Sequence, residues 1–130
     1  MRFLTAFGAL LWLSAASAQT GLTDTTWLAE DIRGNGVIDS AQSTISFEAA
    51  GAVSGSGGCN GYRGAVAIDG KQMQIGQIAD TKKMCSPALM DQEAKFFDAL
   101  NATRSFFIDV AFLRLVDENG AELLRLTQKN

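Results

Sequence analysis

Three residues stand out as able to do chemistry: Cys59 and Cys85, 26 positions apart, and Glu93, an acid that helical spacing turns toward the protein interior. The chain has no histidine, which excludes Ser-His-Asp hydrolysis, Cys-His nucleophilic catalysis, HExxH zinc sites and imidazole proton shuttles. Two cysteines cannot form a Cys₄ zinc site, so no metal or cofactor is indicated. A thiol enzyme would need a cation beside a cysteine, and Arg63, Lys82 and Lys83 are near in sequence. A carboxylate enzyme would use Glu93 as a general acid or base with a shifted pKa. Asp80, Lys82, Asp91 and Asp98 are its neighbours only in the text, and no second titrating partner is identifiable. The structural reading is preferred: the Glu93 carboxylate accepts hydrogen bonds from backbone N–H groups of a nearby loop and pins a helix to a sheet.

That helix is signalled by Ser86-Pro87, a hydroxyl at the N-cap followed by proline at the first helical position, and it is expected to run to about Leu100. At 100° per residue Leu89, Phe96, Phe97 and Leu100 form one stripe with Met90 at its margin, and Glu93 falls inside it. Asp91 and Asp98 fall on the solvated side. The rest of the chain from Thr25 reads as strands. Residues 26–32, from Thr26 to Ile32, have a β-favouring start and are followed by a turn at residues 33–36, and residues 44–48 alternate, with Ile45 and Phe47 on one face. Eight of the 13 glycines lie between positions 51 and 76. Within that stretch Tyr62, Gly64, Val66 and Ile68 share a face, as do Met73 and Ile75, with a hairpin signal at Asp69-Gly70 between them. A second hairpin at Asn119-Gly120 joins residues 112–116 to 122–126, two strands expected to close the sheet. Residues 104–108 are expected to form a core strand.

The N-terminus begins with Arg2, continues with an apolar run over residues 3–13, and reaches Ala16-Ser17-Ala18 before Gln19. This order is that of a secretory signal peptide cleaved after Ala18, the apolar run being well short of the roughly 20 residues that span a bilayer. The expected organisation is a signal peptide over 1–18 and one domain over 19–130, in the periplasm or secreted. No cysteine precedes Cys59, so a lipobox cysteine is absent. In an oxidising compartment, and without a CxxC spacing, Cys59 and Cys85 are expected to form a structural disulfide, with buried free thiols as the alternative. The chain is acidic, with 11 Lys+Arg against 14 Asp+Glu, and has no basic run, which argues against nucleic acid as a partner.

The string Gly55-Ser-Gly-Gly-Cys-Asn-Gly-Tyr-Arg-Gly64 is not a phosphate cradle: no Lys-Ser/Thr follows, Asn60 stands where GxGxxG needs its last glycine, and strand follows instead of helix. Close packing of backbone is the better account. Together with Trp27-Leu28, Ile45-x-Phe47, Ile75-Gly76-x-Ile78, Thr81-Lys-Lys-Met-Cys85, Met90-x-x-Glu93, Phe97 and Leu100, this string resembles the META domain family, to which the heat-shock protein HslJ belongs. The resemblance runs from about Thr26 to Leu126. It implies an α+β fold, mainly an antiparallel β-sheet with one helix packed against it, in exported or lipid-anchored bacterial proteins, some linked to heat or antibiotic stress, secretion or motility. It carries no catalytic residue; Cys59, Asn60, Gly61, Tyr62, Thr81, Cys85 and Glu93 are its motif residues here. The turn containing Cys59, the segment ending at Cys85 and the helix start are expected to converge, with Asn60 or Thr81 as partners of Glu93.

The expected function is therefore that of an exported, non-catalytic accessory or binding module related to envelope stress, whose partner is a protein or envelope component. The alternatives are a thiol- or carboxylate-dependent enzyme and a protease-inhibitor-like β-domain.

Overall fold

The computed structural model describes residues 21–130, so the signal peptide expected over residues 1–18 lies outside the described residues. The elements are β1 (Thr25–Ile32), β2 (Asn35–Gly36), β3 (Thr44–Glu48), β4 (Ala52–Ser56), β5 (Gly61–Asp69), β6 (Gln72–Ile75), β7 (Ala79–Asp80), α1 (Pro87–Ala102), β8 (Ser105–Asp109), β9 (Phe112–Val116) and β10 (Glu122–Lys129). All strand pairings are antiparallel, in the order β10-β9-β8-β6-β5-β4-β3-β1-β2, with β7 added to β5. A further pairing of β10 with β1, from Thr26–Lys129 to Ile32–Leu124, curls the sheet into a closed barrel. Closure removes the exposed strand edges that would otherwise pair with other chains. No helix among the described residues is long and apolar enough to cross a membrane.

Alternation fills the barrel. Trp27, Ala29 and Ile32 of β1, Ile45 and Phe47 of β3, Val53 of β4, Tyr62 of β5, and Met73 and Ile75 of β6 point inward and are buried. The step from Ala29 to Ile32 breaks strict alternation because β1 carries a bulge between Ala29 and Asp31. A matching irregularity between Glu122 and Leu124 lets the adjacent Leu123 and Leu124 both enter the core. The seam between β6 and β8 is thin, with one register pair, Gln72–Ser105, flanked by backbone bonds from Met73 N–H to Arg104 O and from Phe106 N–H to Lys71 O, each 2.9 Å. The helix connects β7 to β8, packs against β1, β6 and β10, and adds Phe96, Ala99 and Leu100 to the core. Burying a phenylalanine such as Phe96 contributes about 2–3 kcal/mol.

Both expected hairpins form. Asp69 and Gln72 pair around Gly70, whose φ of +64° suits the turn. The second hairpin has a wider connection than Asn119-Gly120 alone, because the Asp117 carboxylate accepts the N–H groups of Asn119 (2.8 Å) and Ala121 (2.9 Å). Those donors, Ala121 first, hold the Asp117 carboxyl below its ordinary pKa.

Three expectations need correction. Ser86 makes no side-chain capping bond; its carbonyl accepts the Met90 N–H at 3.0 Å, while Pro87 removes one donor that would need a cap. The buried side of α1 is rotated from the projected stripe: Gln92, Glu93, Phe96, Ala99 and Leu100 are buried, whereas Phe97 and Leu89 are half-buried. In the strand expected to be core, only Phe106 is buried, because Phe107 takes the outer face and Ile108 lies beside the hairpin end, where they are 43% and 45% exposed.

The β8–β9 turn holds Val110 at φ +58° with the side chain 95% exposed. A β-branched residue is disfavoured there and gains nothing from packing. Replacing Val110 with glycine is expected to stabilise the fold by about 0.5–1 kcal/mol, the relief of a left-handed backbone exceeding the added flexibility of the unfolded chain. Urea denaturation of the two proteins measures it, and a lower midpoint for the glycine variant would contradict it.

Candidate functional site

The expected motif residues meet where the loop between β4 and β5 touches the start of α1. This approach requires a residue without a side chain at Gly57, since a Cβ there would stand 2.7 Å from the Phe97 ring and 2.8 Å from both Glu93 Cγ and Oε1. With the backbone so close, the loop aims its N–H groups at the helix. Glu93 Oε1 accepts from Cys59 N–H at 3.0 Å and Asn60 N–H at 2.6 Å, and Oε2 accepts from Asn60 Nδ2 at 2.7 Å. The residue is 4% exposed, so these donors replace the water that burial removed.

Asn60 passes the connection on. Its second Nδ2 hydrogen reaches Lys83 O at 3.1 Å, and Oδ1 accepts from Thr81 Oγ1 at 2.7 Å and Lys83 N–H at 2.5 Å. Both donors and both acceptor positions of the amide are therefore used. Thr81 is bonded to Asn60 and not to Glu93, so of the two expected partners of the acid only Asn60 serves. Cys59 and Cys85 form a disulfide that ties the same loop to the far end of the segment leading into α1. Gly61 opens β5, and its carbonyl accepts the Thr81 N–H at 3.2 Å. Tyr62 turns inward, donates its hydroxyl to Thr44 O at 2.7 Å, and meets the Phe96 and Phe97 rings edge-on at centroid distances of 6.0 and 5.3 Å. Burial raises the phenol pKa, which keeps it a donor.

Sequence reasoning missed the second polar anchor of the helix. Gln92 Oε1 accepts the Ile38 N–H at 2.8 Å, and Nε2 donates to Ala41 O at 2.7 Å and Ser43 Oγ at 3.1 Å. Ser43 in turn donates to Gly57 O at 2.8 Å. The only signal for Gln92 was its position next to Glu93, at the margin of the apolar stripe. Gln92 and Glu93 thus fasten one helical turn to two different loops.

Chemically the arrangement is a brace. A general base must offer an oxygen to substrate, and both oxygens of Glu93 face protein donors. A nucleophilic thiolate requires a free cysteine, and neither Cys59 nor Cys85 is free. Among the described residues no group of three or more His, Cys, Asp or Glu is placed to hold a metal ion. Reducing the disulfide frees a loop of 26 residues and is expected to lower stability by about 3.5 kcal/mol on the chain-entropy account. Thermal unfolding with and without a reductant measures the change; identical curves would show that the hydrogen bonds alone brace the loop.

A sequence model of the META domain matches residues 20–130. A protein from Burkholderia xenovorans solved by NMR shares the fold with a TM-score of 0.70 at 22% identity, over 99% of this chain and 98% of that one. A second NMR structure aligns at a TM-score of 0.65 and 22% identity, over 82% of this chain and 90% of that one. The crystal structure of a DUF4847 family protein from Bacteroides vulgatus aligns at 0.60 and 19%, over 82% and 94%. No curated protein sequence matches the chain. At these identities the three structures speak for the barrel and its helix alone, whereas the family match extends over nearly the whole chain: the protein belongs to the META domain family.

Proposed function

We propose that this META-domain protein is exported, with residues 1–18 removed, and acts without catalysis as an accessory module that binds a protein or other envelope component under stress. The observation that carries this reading is the internal use of the motif: the polar atoms of Glu93 and Asn60 bond to each other and to the backbone, and Cys59 is bonded to Cys85. Groups held in this way rigidify a surface better than they turn over a substrate. A thiol- or carboxylate-dependent enzyme would need those same groups free. The N-terminal order of charge, apolar run and small residues supports export.

The test is photo-crosslinking in living host cells, with the reactive amino acid at Met84 or Val110, which are 84% and 95% exposed. The expected result is a processed chain starting at Gln19, in the envelope or medium, crosslinked to a discrete partner whose yield rises after heat shock. An unprocessed chain confined to the cytoplasm, or two fast-reacting thiols in the denatured exported protein, would overturn it.

A further inference from the structure

The outer face of β8, β9 and β10 carries a group of side chains that the brace does not use. Phe107, Arg114 and Arg125 lie in register across the three strands, and Phe112 shares their face two residues before Arg114. The guanidinium carbons of Arg114 and Arg125 stand 5.4 and 5.2 Å from the centre of the Phe112 ring, so one ring serves two cations. Like charges placed directly opposite each other weaken a sheet. Arg114 is neutralised by Glu122 at 2.7 Å and Asp109 at 3.3 Å. Arg125 has no carboxylate within ion-pair reach among the described residues. Asp31, its register partner on β1, accepts the Gly34 N–H at 2.8 Å instead, and Glu30 accepts the Thr127 hydroxyl at 2.9 Å. The Nε atoms of Arg114 and Arg125 are also the two buried side-chain polar atoms that lack a partner among the described residues.

We propose that this face docks a partner segment presenting a carboxylate beside an apolar side chain, with Arg125 taking the carboxylate and Phe107 the apolar group. The proposal deepens the binding-module reading and rests on it for the partner's existence. Contact with Phe112 restrains the position of the intrinsically planar Arg125 guanidinium, which lowers the ordering cost of a two-point contact with a carboxylate. Phe107, 43% exposed on β8 and separated from Arg125 by Arg114, supplies the aromatic contact in which protein interfaces are enriched, so the partner must span two strands to reach both. The acids bordering the patch are held by Arg114, by the Gly34 amide and by Thr127, which leaves Arg125 as the charge still to be matched.

The probe is N-acetyl-phenylalanine, which carries the carboxylate, compared with its neutral amide, in an NMR titration of the purified protein. The Arg125 Nε–H and Phe107 N–H signals are expected to shift saturably with the acid and at least about tenfold more weakly with the amide, the scale of one charge-assisted contact. Arg125→Met is expected to weaken the acid by a similar factor while unfolding as cooperatively as the parent. Should that variant fail to fold, Arg125→Lys, which keeps the charge and loses the planar fork, is expected to weaken it too. Equal responses to acid and amide, saturable shifts confined to other residues, or an equally strong response to inorganic phosphate would each overturn the carboxylate assignment. If the cellular crosslink forms equally with Arg125→Met, this face is excluded and the binding module stands. If the probe binds here but no envelope partner is captured, the module reading alone falls.

Discussion

Replacing Glu93 with alanine is expected to destabilise the protein by about 4 kcal/mol, because three N–H donors, those of Cys59, Asn60 and the Asn60 amide, lose their acceptors inside the protein. Glutamine at the same position tests the directionality of the site. Its carbonyl oxygen can serve Cys59 and Asn60 N–H as Oε1 does now, but its NH₂ then faces Asn60 Nδ2, donor against donor at 2.7 Å. Turning the Asn60 amide over would relieve that contact and create two others, since Nδ2 would oppose the Lys83 N–H and Oδ1 would oppose Lys83 O. The expected cost of Glu93→Gln is therefore about 2 kcal/mol, intermediate between the parent and alanine. Chemical denaturation of the three proteins gives the order directly. A glutamine variant as stable as the parent would mean that the Asn60 amide is not locked.

How much of this was legible in the sequence follows from what each feature depends on. The inward turn of Glu93 was legible because it needs only the helical period, and the backbone of Cys59 and Asn60 lies where a buried acid must find donors. The fourfold use of Asn60 was not, because the orientation of its amide is set by three residues from two separate segments, Thr81 and Lys83 before the helix and Glu93 within it. Gln92 went unseen because a stripe drawn through Leu89 and Phe97 is turned away from the buried side that Ala99 and Gln92 define. The two hairpins were carried by Asp69-Gly70 and Asn119-Gly120, which are local signals. The two-residue strands β2 and β7 have no pattern of their own and exist through pairing with β1 and β5. Closing of the sheet by the last strands could be expected, but the pairing of β10 with β1 joins elements from opposite ends of the described chain. Phe107 and Ile108 look like core from composition; only the register with β9 places the one outside and the other beside the hairpin end.

Changing Asn60 to aspartate keeps the size of the side chain and inverts one contact, which makes it the sharper probe of the brace. Oδ1 would still accept from Thr81 and Lys83, but the atom replacing Nδ2 would be an oxygen 2.7 Å from Glu93 Oε2 and 3.1 Å from Lys83 O. Two carboxylates so close cannot both ionise at ordinary cost, so the pair in the folded variant retains a proton that the unfolded chain releases near pH 4. With the folded pKa raised above the unfolded one, the stabilising contribution of that proton is complete below about pH 4 and is lost as pH rises through the folded value. The expected deficit relative to the parent is about 5 kcal/mol at pH 7, shrinking to about 2 kcal/mol near pH 4, where the protonated carboxyl of the new side chain can donate to Glu93 but not also to Lys83 O. Combining the change with Glu93→Gln removes the repulsion, because the glutamine NH₂ then donates to the new carboxylate while its oxygen keeps the two backbone N–H groups. The double variant is expected to be more stable at pH 7 than the Asn60→Asp protein and to lose the steep pH dependence. Denaturation of the parent, both single variants and the double variant at pH 4 and pH 7 completes the cycle; additive costs would show that Asn60 and Glu93 do not act through the bond between them.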